Sequence, residues 1–269
     1  SAPYSSGTNN VAVGYNAFAA HTTGYNNVMV GNYTGDAITT GESNTALGYA
    51  ALSAEDTGTR NVAIGNEALK VLNYDGAGYN VAVGHRAGYA LTTQTKTIFI
   101  GAFAGSALTT SGDSNMAIGY GAMGGAEIGD GNIAIGYQSL NNANSAGLHR
   151  NIAIGYQTMA NVGSNGPDDN IALGYTALND ITTGGYNVGI GSYVLENLTT
   201  GTDNVAVGFV AGRRITGTHN VSIGSYAHDY GYVSTKSIAI GYQSAQYSTG
   251  SNNTFVGYQA GRGGTNSAP

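Results

Sequence analysis

The chain reads as all-β, a parallel β-solenoid (β-roll) of about fifteen rungs of ~17 residues. Three observations predict it. A glycine recurs at positions 14, 31, 48, 65, 84, 101, 119, 136, 155, 174, 191, 208, 224, 241 and 257, at intervals of 16 to 19 residues. An aliphatic residue precedes every one of these glycines, and in most copies another lies two residues earlier, the alternation of a strand with one buried face. No stretch shows the 3.6-residue period or the unit length of a helical repeat.

Each rung can be justified in order along one copy, Asn151-Ile152-Ala153-Ile154-Gly155-Tyr156. Asn leads the strand in thirteen copies, with Thr97 and Ser237 in the other two. Asn accepts turn dihedrals, and amides stacked coil over coil can form a ladder of side-chain hydrogen bonds. The β-branched residues of the strand follow, and the glycine then permits a bend or a close backbone approach. A second short strand is expected after it, opening on Tyr in many copies (Tyr15, Tyr49, Tyr120, Tyr137, Tyr156, Tyr175, Tyr242, Tyr258). These rings can stack as an aromatic ladder or serve as sugar-binding platforms, and stacking is the plainer reading. A small residue and then a bulky apolar residue or a glycine come next, and turns such as Thr182-Thr183-Gly184 close the coil. At the strand spacing of about 4.8 Å, fifteen rungs would make a rod of roughly 70 Å. Residues 9–261 form the repeat domain, with 1–8 and 262–269 as extensions or junctions at either end.

The middle residue of the strand is small: Ala12, Ala46, Ala63, Ala82, Ala117, Ala134, Ala153, Ala172, Ala206 and Ala239, with Met29, Phe99 and Phe255 as bulky intruders. Ala is a poor strand former, and a solvated sheet face usually carries Thr, Lys or Glu. Both faces of the strand are therefore apolar. The favoured reading sets a second sheet or a neighbouring chain close against the Ala row, which would make that row an oligomer interface in the latter case. The alternative has the Ala row filling a thin interior while the Val/Ile row faces outward. Either arrangement leaves an apolar stripe to cover, and a homo-oligomer is expected.

Charged residues make up 9% of the chain and the net charge is −6, so no nucleic-acid or anionic-membrane partner is suggested. Zero Cys excludes disulfides and thiolate metal sites. No apolar run approaches the length of a membrane span, and Ser1 in place of an initiator Met reads as a processed product or an excised segment. No cofactor is implied. The adjacent carboxylates Asp168 and Asp169 could join a glycosidase-like pair across chains, but a solvated turn is the plainer reading. The five histidines lack ligand spacing and read as lone surface groups, and Asp75-Gly76-Ala77-Gly78 and Gly129-Asp130-Gly131 read as turns, not calcium sites. Three intervals stretch to 19 residues, and their extra residues read equally as a bulge on one edge that carries binding or as tolerated loop drift. Tyr74, Asp75, Leu148, His149, Asn165, Asp168 and Asp169 are the candidate contact residues there.

The phrase Asn-Val-Ala-Val-Gly, and stretches such as Ser43-Asn44-Thr45-Ala46-Leu47-Gly48-Tyr49-Ala50-Ala51-Leu52 and Asp169-Asn170-Ile171-Ala172-Leu173-Gly174-Tyr175-Thr176-Ala177-Leu178, resemble two related repeats. One is the Val-Ala-Ile-Gly repeat of trimeric autotransporter adhesin heads, and the other is a phage tail-fibre repeat. The likeness covers about residues 9 to 261. It implies a left-handed coil, a homotrimer and an extracellular or virion-borne attachment fibre that meets a cell-surface glycan or protein receptor. The rungs are longer than the usual adhesin-head rung, and neither a heptad stalk nor a self-cleaving chaperone segment is present in this sequence. A self-assembling extracellular filament with a purely structural role is the alternative. A polysaccharide-cleaving spike comes third.

Overall fold

The computed structural model describes residues 6–109, 112–125, 127–142, 144–145, 147–163, 166–231 and 234–263. Among them there is no helix, and the chain is a parallel β-solenoid of stacked coils. It divides into two compact units, Ser1–Ile135 and Gly136–Pro269. The first holds the three-residue strands Val11–Val13, Val28–Val30, Thr45–Leu47, Val62–Ile64, Val81–Val83, Ile98–Ile100, Met116–Ile118 and Ile133–Ile135. The second holds Ile152–Ile154, Ile171–Leu173, Val188–Ile190, Val205–Val207, Val221–Ile223, Ile238–Ile240 and Thr254–Val256. Within each unit every strand pairs in parallel with the next. Equivalent residues stand opposite one another, as in Val11↔Val28, Ala12↔Met29 and Ile152↔Ile171, Ala153↔Ala172. Two-residue strands occur at Glu127–Ile128 and Asn144–Ser145.

The Asn column is the ladder expected from the sequence. Asn187 is wholly buried, and its Oδ1 accepts from both the backbone N–H and the Nδ2 of Asn204, each at 3.0 Å. Its own Nδ2 donates to Asn170 Oδ1 at 3.0 Å and to the Gly201 carbonyl at 2.9 Å. The side chain thus ties its own coil to the one before and the one after. A buried amide left without such partners would cost about 1–3 kcal/mol, which explains why so few residue types stand here. At Thr97 the hydroxyl keeps the bond to Asn80 Oδ1 at 2.7 Å, and at Ser237 the hydroxyl accepts from the Asn253 N–H at 3.2 Å.

The expected second strand after the glycine is not there. A run of turns replaces it, because the backbone enters the left-handed region at fixed places. In one coil these are Asp169 (φ 58°), Gly174 (φ 135°), Thr176 (φ 47°) and Leu178 (φ 48°). Left-handed φ costs a non-glycine residue roughly 1 kcal/mol or more. Each of these N–H groups is repaid by a bond to a neighbouring coil: Asp169 to the His149 carbonyl, Gly174 to Ile154, Thr176 to Tyr156, and Leu178 to Val194, at 2.8 to 3.1 Å. Glycine is required at the recurring position twice over. Its φ suits no other residue, and at Gly31 an added Cβ would lie 2.6 Å from the Gly48 carbonyl oxygen.

The interior decides which strand face points inward. Ala46, Ala63, Ala82, Ala117, Ala134, Ala153, Ala172, Ala206 and Ala239 are wholly buried inside the chain itself, and only Ala12, on the first coil, is exposed. The Ala row is therefore the core and not a face for another chain, which corrects the favoured reading. The alternative holds, with the aliphatic residues on either side of each Ala turned outward. The reason is volume. The buried residue four places after the glycine (Leu52, Leu69, Leu140, Leu178, Leu195) and the one seven places after it (Ile38, Leu72, Leu91, Leu108, Ile181, Leu198, Ile215) fill the coil. Only a small side chain then fits at the strand centre. The intruders obey the same rule: Met29 meets Gly35, Phe99 meets Gly105 and Phe255 meets Gly261, each glycine lying where a Cβ would collide with the larger side chain.

Candidate functional site

The outer face of the strands is built from residues that ordinarily seek cover. Val13 is 58% exposed, Leu47 48% and Ile190 40%, and Val28, Ile100, Ile171, Val205, Ile223, Ile238, Ile240 and Val256 are also open to solvent. A column of aromatic rings stands one or two residues beyond the glycine in every coil but that of Gly65, largely exposed. Across fifteen coils, neither of the two aliphatic positions nor the first position after the glycine holds Asp, Glu, Lys or Arg, although such residues make up 9% of the chain. Hydrogen bonding cannot account for these side chains, so the surface has the composition of a contact face.

The geometry of the ring column follows the sequence phase. Three pairs of neighbouring coils that both place the ring directly after the glycine have stacked rings. Tyr137 and Tyr156 lie 5.1 Å apart at 8°, Tyr156 and Tyr175 5.2 Å apart at 5°, and Tyr242 and Tyr258 5.6 Å apart at 14°. Where one coil places its ring one residue later, the pair crosses at a steep angle, as in Tyr15–Tyr33 at 79°, Phe103–Tyr120 at 74° and Tyr193–Phe209 at 86°. Both arrangements suit the ring quadrupole. Tyr156 has a neighbouring ring on each face, so its own faces are not open to a sugar.

The predicted edge residues do not all reach the surface. Leu148 is wholly buried, a correction that follows from its apolar side chain joining the interior in place of the loop. Asn165 lies outside the described residues. Asp75 is exposed, and Tyr74, His149, Asp168 and Asp169 are half-buried. Asp168 Oδ1 accepts from the His149 N–H at 2.7 Å. Arg150 grips Asp169 with Nε at 2.7 Å and a terminal nitrogen at 2.8 Å, which holds the Asp169 carboxyl below its ordinary range. A general acid needs the opposite shift, so the geometry gives Asp169 the character of an ion-pair partner. Among the described residues no three His, Asp or Glu side chains converge as a metal site, and no helix is long and apolar enough to cross a membrane.

Three buried titratable groups were not anticipated; Asp229 is held by Arg213 at 2.9 Å, while the other two meet no opposite charge. His228 is interior, not a lone surface histidine. Its Nδ1 lies 3.1 Å from the Ser222 hydroxyl, and burial pulls its pKa down to about 4. Glu55 stands seven places after Gly48, in the column that Ile38 and Leu72 occupy in the adjoining coils, and is equally buried. Burial pushes its carboxyl up to about 7. The signal for His228 and Glu55 was present in the sequence as a polar residue set into a mostly apolar column. No family model matches the chain, and no curated protein or solved structure matches it. The fold and the site therefore rest on the residues themselves.

Proposed function

We propose that this chain is a structural and adhesive fibre segment, borne outside the cell on a cell or virion surface, that mediates attachment to a cell-surface receptor. It associates with further copies of itself along the aliphatic and aromatic face, and three copies are favoured by the likeness to adhesin-head and tail-fibre repeats. The observation that carries the reading is the absence of Asp, Glu, Lys and Arg from both aliphatic positions and from the first position after the glycine in all fifteen coils. It leaves on the order of 200 Å² per coil open where a ring is present, so a handful of coils exceeds what a lone soluble chain ordinarily exposes. A second copy suits it because the face repeats with the coil, and a parallel copy offers the same repeat. The turns around Tyr74 and Asp75, and around His149 and Asp168, supply the variable edge a receptor would read.

Lysine substitutions at Leu47, Ile190 and Ile223 test the reading, with negative-stain images and binding to cells or immobilised glycans as readouts. Discrete oligomers that bind, and that fall apart in the triple variant, support it. Helical polymers without binding would favour the purely structural filament. Dispersed single chains that bind nothing would defeat both.

A further inference from the structure

Glu55 is a carboxyl group set into a hydrocarbon column. In the adjoining coils that place belongs to Ile38 and Leu72, both wholly buried, and Glu55 is no more exposed than they are. One carboxyl oxygen is used: it accepts from the Gly58 N–H at 2.8 Å and, across to the next coil, from the Tyr74 N–H at 3.4 Å. The other oxygen is buried with no partner. Gly58 leaves room for the carboxyl, since an added Cβ there would collide with it. The charged groups around it are of like sign. Asp56 follows it on the same turn and takes a bond from Thr39, while Asp75 on the next coil takes a bond from Thr57 Oγ1 at 2.6 Å. Tyr74 meets the carboxyl through its backbone N–H.

We propose that Glu55 is a protonation-controlled latch on the widened turn 73–78, closed while the carboxyl is neutral and released when it ionises. Released, the turn would free Tyr74 and Asp75, so the latch regulates a contact edge and rests on the reading of that edge given above. The neutral acid is tolerated because both N–H donors remain satisfied and the unpaired oxygen carries no charge. The ionised acid has no cation to meet and faces Asp75 instead. A buried unpaired charge relaxes by leaving, and the outlet is the turn whose Tyr74 N–H it holds. The carboxyl's rise to about 7, driven first by burial, places the transition near neutrality. Stability conferred by the neutral acid is complete below the ordinary glutamic pKa of 4.5 and is lost as pH rises through about 7.

Hydrogen–deuterium exchange of the full chain at pH 5.5 and 8.5, corrected for intrinsic exchange, tests this without any receptor or oligomer. Segments 53–60 and 73–78 should open about thirtyfold more often at the higher pH, the ratio that linkage gives for a carboxyl moved from 4.5 to about 7. Segment 204–211 of the second unit, which holds no titratable side chain, serves as the internal control and should not change. In Glu55→Gln or Glu55→Leu the pH response should vanish. A wild-type response that is absent, spread evenly over the chain, or retained in either variant overturns the latch. Should neither variant fold, the wild-type comparison decides alone. Loss of receptor binding with an intact exchange response would instead count against the attachment reading.

Discussion

The two units carry the same coil with different flaws. In the second, an aromatic ring stands on each of eight successive coils, from Tyr137 through Phe209 to Tyr258, every one in contact with the next. In the first, the column breaks at the coil of Gly65, where Glu67 pairs with Lys70 and Arg86, both at 2.6 Å. The strands and the Asn ladder run through the break, with Asn80 bonded to Asn61 Oδ1 as elsewhere. The coil is therefore set by backbone and buried amides, and the rings decorate it. The interiors differ as well. The first unit buries an acid that wants its proton, and the second buries an imidazole that refuses one.

The comparison can be broken most severely at what the units share. Gly84→Ala in the first and Gly208→Ala in the second should each cost on the order of 3–5 kcal/mol by chemical denaturation, because each forces a Cβ against the next coil's backbone at a φ that alanine avoids. Markedly unequal losses would mean that the units do not share one backbone solution. The next effect separates them. His228 stays neutral in the folded chain down to about pH 4 but takes a proton near 6.5 once unfolded. The contribution of His228 to the second unit is thus complete above pH 6.5, and about 3 kcal/mol of it should be lost as pH falls through 4. Glu55 gives the first unit the opposite slope, with full stability below 4.5 and loss through 7. Unit-resolved exchange from pH 3.5 to 8.5 reads both limbs, and His228→Leu should erase only the acid one. The smallest effect concerns the rings: Tyr156→Ala should cost about 1 kcal/mol in the unbroken column, while Asn66→Tyr in the gap should gain less than that. A larger loss at Tyr156 would make the column a structural spine after all.

Much of the fold was legible because its period is rigid. The glycine spacing, the leading Asn and the alternation of the strand identified stacked coils, and the amide ladder followed from stacking. Which strand face is buried was not legible from alternation alone, since both faces are apolar. The deciding clue was volume pairing within a coil, Met29 with Gly35 and Phe99 with Gly105, which only makes sense if these positions share the interior. The left-handed residues were hidden for another reason. Leu178, Thr176 and Tyr193 do not favour φ near +50°, and the inter-coil bonds that hold them there leave no local trace in residue type. Leu148 was misplaced because an insertion in a loop can still send an apolar side chain inward. Of the candidate edge, the widened intervals were legible, while its hydrogen bonds, such as Arg150 to Asp169, depend on residues nineteen apart meeting across coils.

The central claim is that the exposed aliphatic and aromatic columns are covered by further copies of the chain. Light scattering coupled to size exclusion measures this directly, given a chain mass of 27.2 kDa. The account predicts a particle of an integral number of chains, with three favoured, that persists on dilution to micromolar concentration. A stable, monodisperse species at the mass of a single chain would contradict it.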